Sequence, residues 1–301
     1  MRHILLFSFY KTWSFFPSGI KSAFGKEKEI PKAMYIQILL SIFLLFNLII
    51  PNASSLSFNF TRFDPDDKTI IYNGSATPAS SSIQLTINQR RKQLNRSIGR
   101  ATYFQPIFLW NKTTNNLTDF TSHFTFTIDS QNRPDYGDGI AFFLVPYGSE
   151  MPNATQGGTM GLTLDNQPLN STDNPFVAVE FDIFTNDWDP HPAHEHAGID
   201  INSMKSVVNA TWMADIKNGR LYEAWINYNA CSLNLSIIFT GFSNITSSTI
   251  VNQSLSAIVD LRLYLPEFVT IGFSAATGSS YAIHSISSWD FSSTLEVGHV
   301  R

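Results

Sequence analysis

Cysteine is almost absent: Cys231 stands alone in 301 residues, which excludes an intrachain disulfide framework. A domain of this size buries enough apolar surface to fold without one. Cys231 falls in Asn229-Ala230-Cys231-Ser232, a hairpin-turn sequence, and carries no functional reading. Charge is scarce as well, at 15% of residues with a formal net charge of −4. The contiguous basic run Arg90-Arg91-Lys92 reads as a solvated loop, so no basic stripe supports a nucleic-acid partner. With 43% hydrophobic and 14% aromatic residues, the composition also excludes an intrinsically disordered chain.

Long apolar runs are limited to one, Ile36–Ile50, preceded by Lys26, Lys28 and Lys32 and followed by Pro51-Asn52-Ala53-Ser54. It is short of the roughly 20 residues that span a bilayer, and small residues follow it, so it reads as a signal peptide over 34–55. Met34 is the expected initiator and residues 1–33 an upstream extension of the gene model. An uncleaved signal anchor, the one route to a membrane partner, is the competing reading. Downstream lie about eleven Asn-x-Ser/Thr sequons, at Asn59, Asn73, Asn95, Asn111, Asn116, Asn153, Asn170, Asn209, Asn234, Asn244 and Asn252. Their density favours passage through the secretory pathway, to a secreted, extracellular or vacuolar destination.

Helical periodicity is missing from Ser57 onward. Phe124, Phe126 and Ile128 alternate with Thr125, Thr127 and Asp129, the pattern of a half-buried strand, and Val177, Val179 and Phe181 alternate likewise with Ala178, Glu180 and Asp182. Gly139–Pro146, His196–Ser203, Leu221–Asn229, Leu233–Phe239, Ala257–Tyr264, Val269–Thr277 and Tyr281–Phe291 are further expected strands. Turn sequences such as Asp135-Tyr136-Gly137-Asp138-Gly139 and the Gly157-Gly158 pair punctuate them. An all-β sandwich or jelly roll follows, with one domain over 56–295 and a tail over 296–301.

The chemistry concentrates between Val177 and Asp200. Glu180 and Asp182 are two apart on a strand, so their carboxylates share a face and would repel unless a cation compensates them. Asp189, Asn186 and His196 follow in the next loop and strand. Oxygen donors from Asp182, Asn186 and Asp189 suit Ca²⁺, while imidazole with Glu180, Asp182 and Asp189 suits a transition ion such as Mn²⁺. His191 and His194 crowd the same loop and read as solvated, with His194 an alternative to His196 as ligand. His284, on a strand, reads as a satisfied core histidine.

Three segments in order resemble the legume lectin family over Leu56 to Leu295: Asp138-Gly-Ile-Ala-Phe-Phe-Leu144, then Val177-Ala-Val-Glu-Phe-Asp182 with Asn186-Asp-Trp-Asp-Pro190 and His196-Ala-Gly-Ile-Asp200, and Leu265-Pro-Glu-Phe-Val269 with Ile271-Gly-Phe-Ser-Ala275. The resemblance implies a concanavalin-like jelly roll with a flat back sheet, a curved front sheet and a small top sheet. It implies one Ca²⁺ and one Mn²⁺, with Glu180 and His196 on Mn²⁺, Asp182 and Asp189 shared, Phe184 (through its carbonyl) and Asn186 on Ca²⁺, and Ser206 touching Mn²⁺ through water. For the sugar it implies Asp138 as acceptor, Asn186 and the Gly158 NH as donors, Phe184 as a stacking ring, and Ser279 and Ser280 in the loop that tunes specificity. A homodimer through the back sheet is the family's typical partner arrangement, which the glycan load could block.

The sequence departs from the family pattern at Gly137, where alanine is common before the binding Asp in a cis peptide, at Ile183 in place of Thr or Ser, and at Thr159 in place of a bulky residue. Two other readings compete. A jelly-roll glycoside hydrolase would carry Glu-x-Asp-x-x-Glu, but Thr185 stands at the third position and leaves no general acid. The extracellular lectin module of a receptor kinase would continue into a membrane helix and a kinase.

Overall fold

Two alternations, one facing inward and one facing a loop-covered surface, organise the protein. The computed structural model describes Gln37 and residues 55–88, 94–243 and 249–295. The expected upstream extension, the body of the signal segment, the basic run, the Asn244 sequon and the tail over 296–301 lie outside the described residues. Within them the strands are β1 (Ser57–Phe60), β2 (Ile70–Gly74), β3 (Thr77–Pro78), β4 (Ile83–Gln84), β5 (Ile98–Tyr103), β6 (Ile107–Phe108), β7 (Thr118–Asp129), β8 (Gly139–Pro146), β9 (Val177–Asp182), β10 (His196–Ile201), β11 (Val208–Thr211), β12 (Leu221–Asn229), β13 (Asn234–Phe242), β14 (Ile250–Ile258), β15 (Phe268–Ala276) and β16 (Ile283–Leu295).

They form two antiparallel sheets of eight strands each. The back sheet runs β14-β13-β12-β7-β16-β4-β3 with β1 on β16; the front sheet runs β11-β10-β9-β8-β15-β5-β2 with β6 on β15. This is the expected all-β jelly roll. Every described strand belongs to one of the two sheets, so the small top sheet implied by resemblance is not among them.

The core lies between the sheets and is strongly aromatic. Phe124 and Phe126 of β7, Phe142 of β8, Phe181 of β9, Phe273 of β15 and Trp289 of β16 are all shielded from solvent, with ring centroids such as Phe124–Phe273 at 4.8 Å. Each such ring removes apolar area worth about 2–3 kcal/mol from water. The polar handles are satisfied: Trp289 Nε1 donates to Ser122 Oγ at 2.9 Å and Trp212 Nε1 to the Thr240 carbonyl at 2.9 Å. His284 is a buried core histidine, but the expectation of a satisfied ring holds for one nitrogen only: Nδ1 lies 3.0 Å from Thr86 Oγ1 while Nε2 has no partner among the described residues, and burial pushes the pKa down to about 3.

β7 is half-buried as its alternation implies, but β9 is buried at all six positions. Its second face is covered by a smaller cluster in which Ala178, Phe143, Val145, Met160, Leu162, Phe176 and Met204 pack together. Ala257–Tyr264, expected as a strand, is corrected: β14 ends at Ile258 and Leu261–Leu263 forms a 3₁₀ turn. Asp260 causes the break, its carboxylate accepting from the Arg262 NH at 3.2 Å and from Arg262 Nε at 2.8 Å.

Candidate functional site

The antiparallel register sets the first half of the site. His196 of β10 pairs with Asp182 of β9, and Gly198 with Glu180. Side chains 180, 182, 196 and 200 therefore project to the outer face of the front sheet, while Val179, Phe181, Ala197 and Ile199 enter the core. Ile183 continues into the core, facing away from the cluster as its apolar character requires. Ligand atoms of Glu180, Asp182 and His196 lie within 4.8 Å of one another, and all three residues are buried.

The intervening loop brings in the rest. The Phe184 NH donates to Asp182 Oδ1 at 2.7 Å, and the Asn186 NH to Asp189 Oδ2 at 2.5 Å, so one carboxylate at the end of β9 and one in the loop organise the turn that contains Phe184 and Asn186. His196 Nε2 sits 3.2 Å from Glu180 Oε1, to which Ser206 Oγ also donates. A cleft of about 210 Å³, lined in part by Trp188, Asp189, His191, His196 and Ser206, opens this end to solvent. His191 is exposed and His194 half-buried, its ring centroid 6.3 Å from that of His196, so His196 is the histidine placed in the cluster.

The residues fit divalent cations. Glu180 Oε2, Asn186 Oδ1 and both carboxylate oxygens of Asp200 are buried without a hydrogen-bond partner among the described residues. Leaving such groups unpaired is costly, and a cation is the partner that would satisfy several carboxylates together. Burial, then the charge of Glu180, raises the pKa of Asp182 and of Asp200 well above the carboxylate range, and burial lifts Asp189 to about 6. For His196 burial works against charging, but the hydrogen bond and charge of Glu180 outweigh it and raise the pKa.

The second half of the site is carried by loops that meet above this cluster. Asp138 follows a cis Gly137–Asp138 peptide, the arrangement the resemblance implied. Its NH donates to the Ala276 carbonyl at 3.0 Å and its carbonyl accepts from the Ile183 NH at 2.9 Å, which fixes the residue between β15 and the cation loop. Asp138 is 3% exposed, Oδ2 lacks a partner, and burial lifts the pKa to about 7 against the opposing hydrogen bond from the Gly278 NH.

A 3₁₀ turn at Gly157–Thr159 forms the adjoining wall, and Met160 in the left-handed conformation ends it. A Cβ on Gly157 would overlap Asp138 Oδ2, and one on Gly158 would lie 2.7 Å from Asn186 Nδ2. Backbone thus approaches both polar groups as closely as glycine alone permits. Gly158→Ala should push the Asn186 amide aside and weaken ligand binding about tenfold or more while the melting temperature stays within a few degrees. Titration calorimetry beside a melting curve checks this; unchanged affinity would remove Gly158 from the site.

Three contacts brace the Asp138 loop. Tyr136 donates its hydroxyl to Glu195 Oε1 at 2.6 Å, Ser280 Oγ donates to Asp135 Oδ1, and Arg133 donates to the Tyr281 carbonyl. Ser280 is therefore buried and engaged in holding a loop, whereas Ser279 beside it is exposed. Phe184 is half-buried, its ring 3.1 Å from where a Gly137 Cβ would sit. Sequence reasoning assigns no role to Gly157, the Gly278 NH, Asp200 or the Tyr136–Glu195 pair. Asp200 closes the acidic motif and faces the charge of Glu180 from the neighbouring strand, and Gly157 stands in a turn sequence but lies against Asp138.

A jelly roll that sets an acidic cluster beside a glycine-walled carboxylate and an amide defines a binding protein of the lectin class. The chain belongs to the legume lectin family: residues 55–300 match the legume lectin domain. It is 38% identical over 280 residues to agglutinin-2 of Cladrastis kentukea, covering 91% of this chain and 93% of that protein. Among solved structures it resembles lectin I of Ulex europaeus in complex with the methyl glycoside of α-L-fucose (33% identity, TM-score 0.70, 80% of this chain and 98% of that one). It also resembles the metal-free form of lectin I-B4 from Griffonia simplicifolia (35% identity, TM-score 0.71, 80% and 100%). The protein is a carbohydrate-binding lectin and not an enzyme.

Proposed function

We propose that the protein is a secreted lectin that binds a glycan only when one Ca²⁺ and one Mn²⁺ hold its two loop systems together. The observation that carries this reading is the convergence of buried, unpartnered oxygens on Asp138, Glu180, Asn186 and Asp200. Glu180, Asp182, Asp189 and His196, with Ser206 through water, would hold the transition ion. Asp182, the Phe184 carbonyl, Asn186 and Asp189 would hold Ca²⁺, whose oxygen preference matches that set. The ions supply positive charge that keeps the carboxylates ionised and fixes the Asn186 side chain.

Toward the sugar, the Asp138 carboxylate accepts from two neighbouring hydroxyls and Asn186 Nδ2 donates, its oxygen being committed to Ca²⁺. The Gly158 NH adds a donor, the Phe184 ring covers the apolar C–H face of the pyranose, and Ser279 reaches the outer hydroxyls. Ser280 acts through Asp135 by fixing the loop. The sequons and the apolar segment over 34–55 support a secretory destination. A glycan array probed with protein stripped of metal, then with Ca²⁺ and Mn²⁺ restored, tests the reading. Signals on a defined set of glycans should appear only after restoration; the same signals from verified metal-free protein would refute it.

A further inference from the structure

The cation cluster stands on β9 and β10, and β15, β5 and β2 form the other end of the same front sheet. There the register pairs Asn73 of β2 with Arg100 of β5, and Ile71 with Thr102. Ala101 and Tyr103 enter the core, so Arg100 and Thr102, with Asn73 and Ile71 beside them, project to the outer face. Thr270 of β15 joins them, and the Ser149 NH donates to the Pro146 carbonyl in a turn after β8 that adds Tyr147 and Ser149. The result is a cleft of about 200 Å³ that shares no residue with the cation or sugar sites.

Arg100 lines this cleft and is 3% exposed. Nη2 donates to the Gly161 carbonyl at 2.7 Å and Nη1 to the Glu150 carbonyl at 3.4 Å, while Nε is buried without a partner. No carboxylate pairs with the guanidinium among the described residues. Burial pulls its pKa down only to about 10, so it stays charged at neutral pH. A buried cation without an anion is costly, and the Phe143 ring, 4.6 Å from the guanidinium carbon, is its only other electrostatic partner. The Asn73 amide and the hydroxyls of Thr102, Ser149 and Thr270 make no side-chain hydrogen bond among the described residues, which leaves them free to meet a ligand. Ile71 and Tyr147 are 46% and 55% exposed, and Phe104 is exposed in the same lining. One charge, a few polar groups and an apolar rim are the make-up of a small-molecule site. A neutral sugar would leave the charge unpaired, and an inorganic anion would leave the rim in water.

We propose that this cleft is a second binding site, for a small organic anion whose carboxylate faces Arg100 and whose apolar body lies against Ile71, Phe104 and Tyr147. A planar guanidinium matches a carboxylate in shape and charge, and the threonine hydroxyls donate to its remaining lone pairs. The site needs neither the cations nor the glycan.

4-Fluorobenzoate is the probe, its ¹⁹F line width titrated against the full-length protein beside neutral 4-fluorobenzamide, with acetate as a competitor that lacks the apolar body. The benzoate should bind about tenfold or more tighter than the amide, and acetate at equal concentration should displace little of it. Arg100 also holds the Glu150–Gly161 loop, so the variants are made at the exposed Ile71. Ile71→Glu sets a rival carboxylate beside Arg100 and should weaken the benzoate about tenfold, while Ile71→Gln stays within about threefold, both melting within a few degrees of wild type. Asn73 begins the sequon Asn73-Gly74-Ser75, so Asn73→Gln is titrated as well. Equal binding of benzoate and benzamide, equal effects of the two Ile71 variants, or displacement by a glycan that the lectin binds overturns the proposal. Binding confined to Asn73→Gln overturns it too, because a glycan on Asn73 would then fill the cleft.

Discussion

Asp138→Asn is expected to reduce sugar affinity by about 100- to 10,000-fold and leave the fold intact. Hydrogen bonds to a charged acceptor are worth about 1.5–3 kcal/mol each, and two such bonds are at stake, with about 1.4 kcal/mol per tenfold in affinity. The asparagine keeps the shape of the side chain but replaces one acceptor by a donor facing the sugar hydroxyls. The backbone of residue 138 keeps its bonds to Ala276 and Ile183, so the loop itself has no reason to move. Because the aspartate is buried and its pKa is lifted to about 7, removing its charge should not lower stability. Calorimetric titration with the best glycan from an array, paired with thermal melting, separates the two effects. Affinity within threefold of wild type would place the sugar elsewhere; loss of folding would mean that Asp138 serves structure first.

Removing the cations should cost the protein on the order of 10 °C in melting temperature and invert its pH dependence. An ion bound only by the folded state at a thousandfold excess over its dissociation constant stabilises by about 4 kcal/mol, and 1 kcal/mol moves a domain of this size by about 2–4 °C. The inversion follows from the carboxylates. Without cations burial holds Asp189 at about 6 and Asp138 at about 7, with Asp182 and Asp200 also raised. The unfolded chain titrates near 4, so the folded state carries the extra protons between those values. That contribution is fully present below about pH 4 and is lost as pH rises through 6 to 7. With cations bound the same groups are held ionised, and stability falls as pH is lowered. Melting curves of stripped and loaded protein should therefore converge toward acid and separate toward pH 8. Parallel curves across that range would mean that these carboxylates do not meet the ions.

Much of this arrangement is legible in sequence because it is local. Period-two alternation reveals β7, and the spacing Glu180-x-Asp182 by itself places two carboxylates on one face of a strand. β5 is not legible in this way, since Gly99, Arg100, Ala101 and Thr102 show no apolar alternation and all six of its positions are buried. The Arg100 guanidinium explains why: it leaves the sheet to bind the Gly161 carbonyl at 2.7 Å and lies 4.6 Å from the Phe143 ring centroid. The 3₁₀ turn after β14 is hidden because Leu261 and Leu263 mimic a strand, while the deciding contact is the Asp260 side chain. In the site, the groups that spacing does not reveal depend on partners brought together by the fold. Gly157 matters because Asp138 lies against it, and the Ser280 hydroxyl is engaged by Asp135. Spacing along one strand encodes a shared face; closeness across loops leaves no periodic trace.

The Tyr136–Glu195 hydrogen bond joins the loop that carries Asp138 to the loop that carries Asp189. Whatever orders one loop therefore lowers the cost of ordering the other, and the thermodynamics must be reciprocal. A saturating glycan should raise the equilibrium affinity for the ions by the same factor by which the ions raise the affinity for the glycan. In an organism the protein would then act as a joint sensor, weakened toward either ligand when the other is scarce.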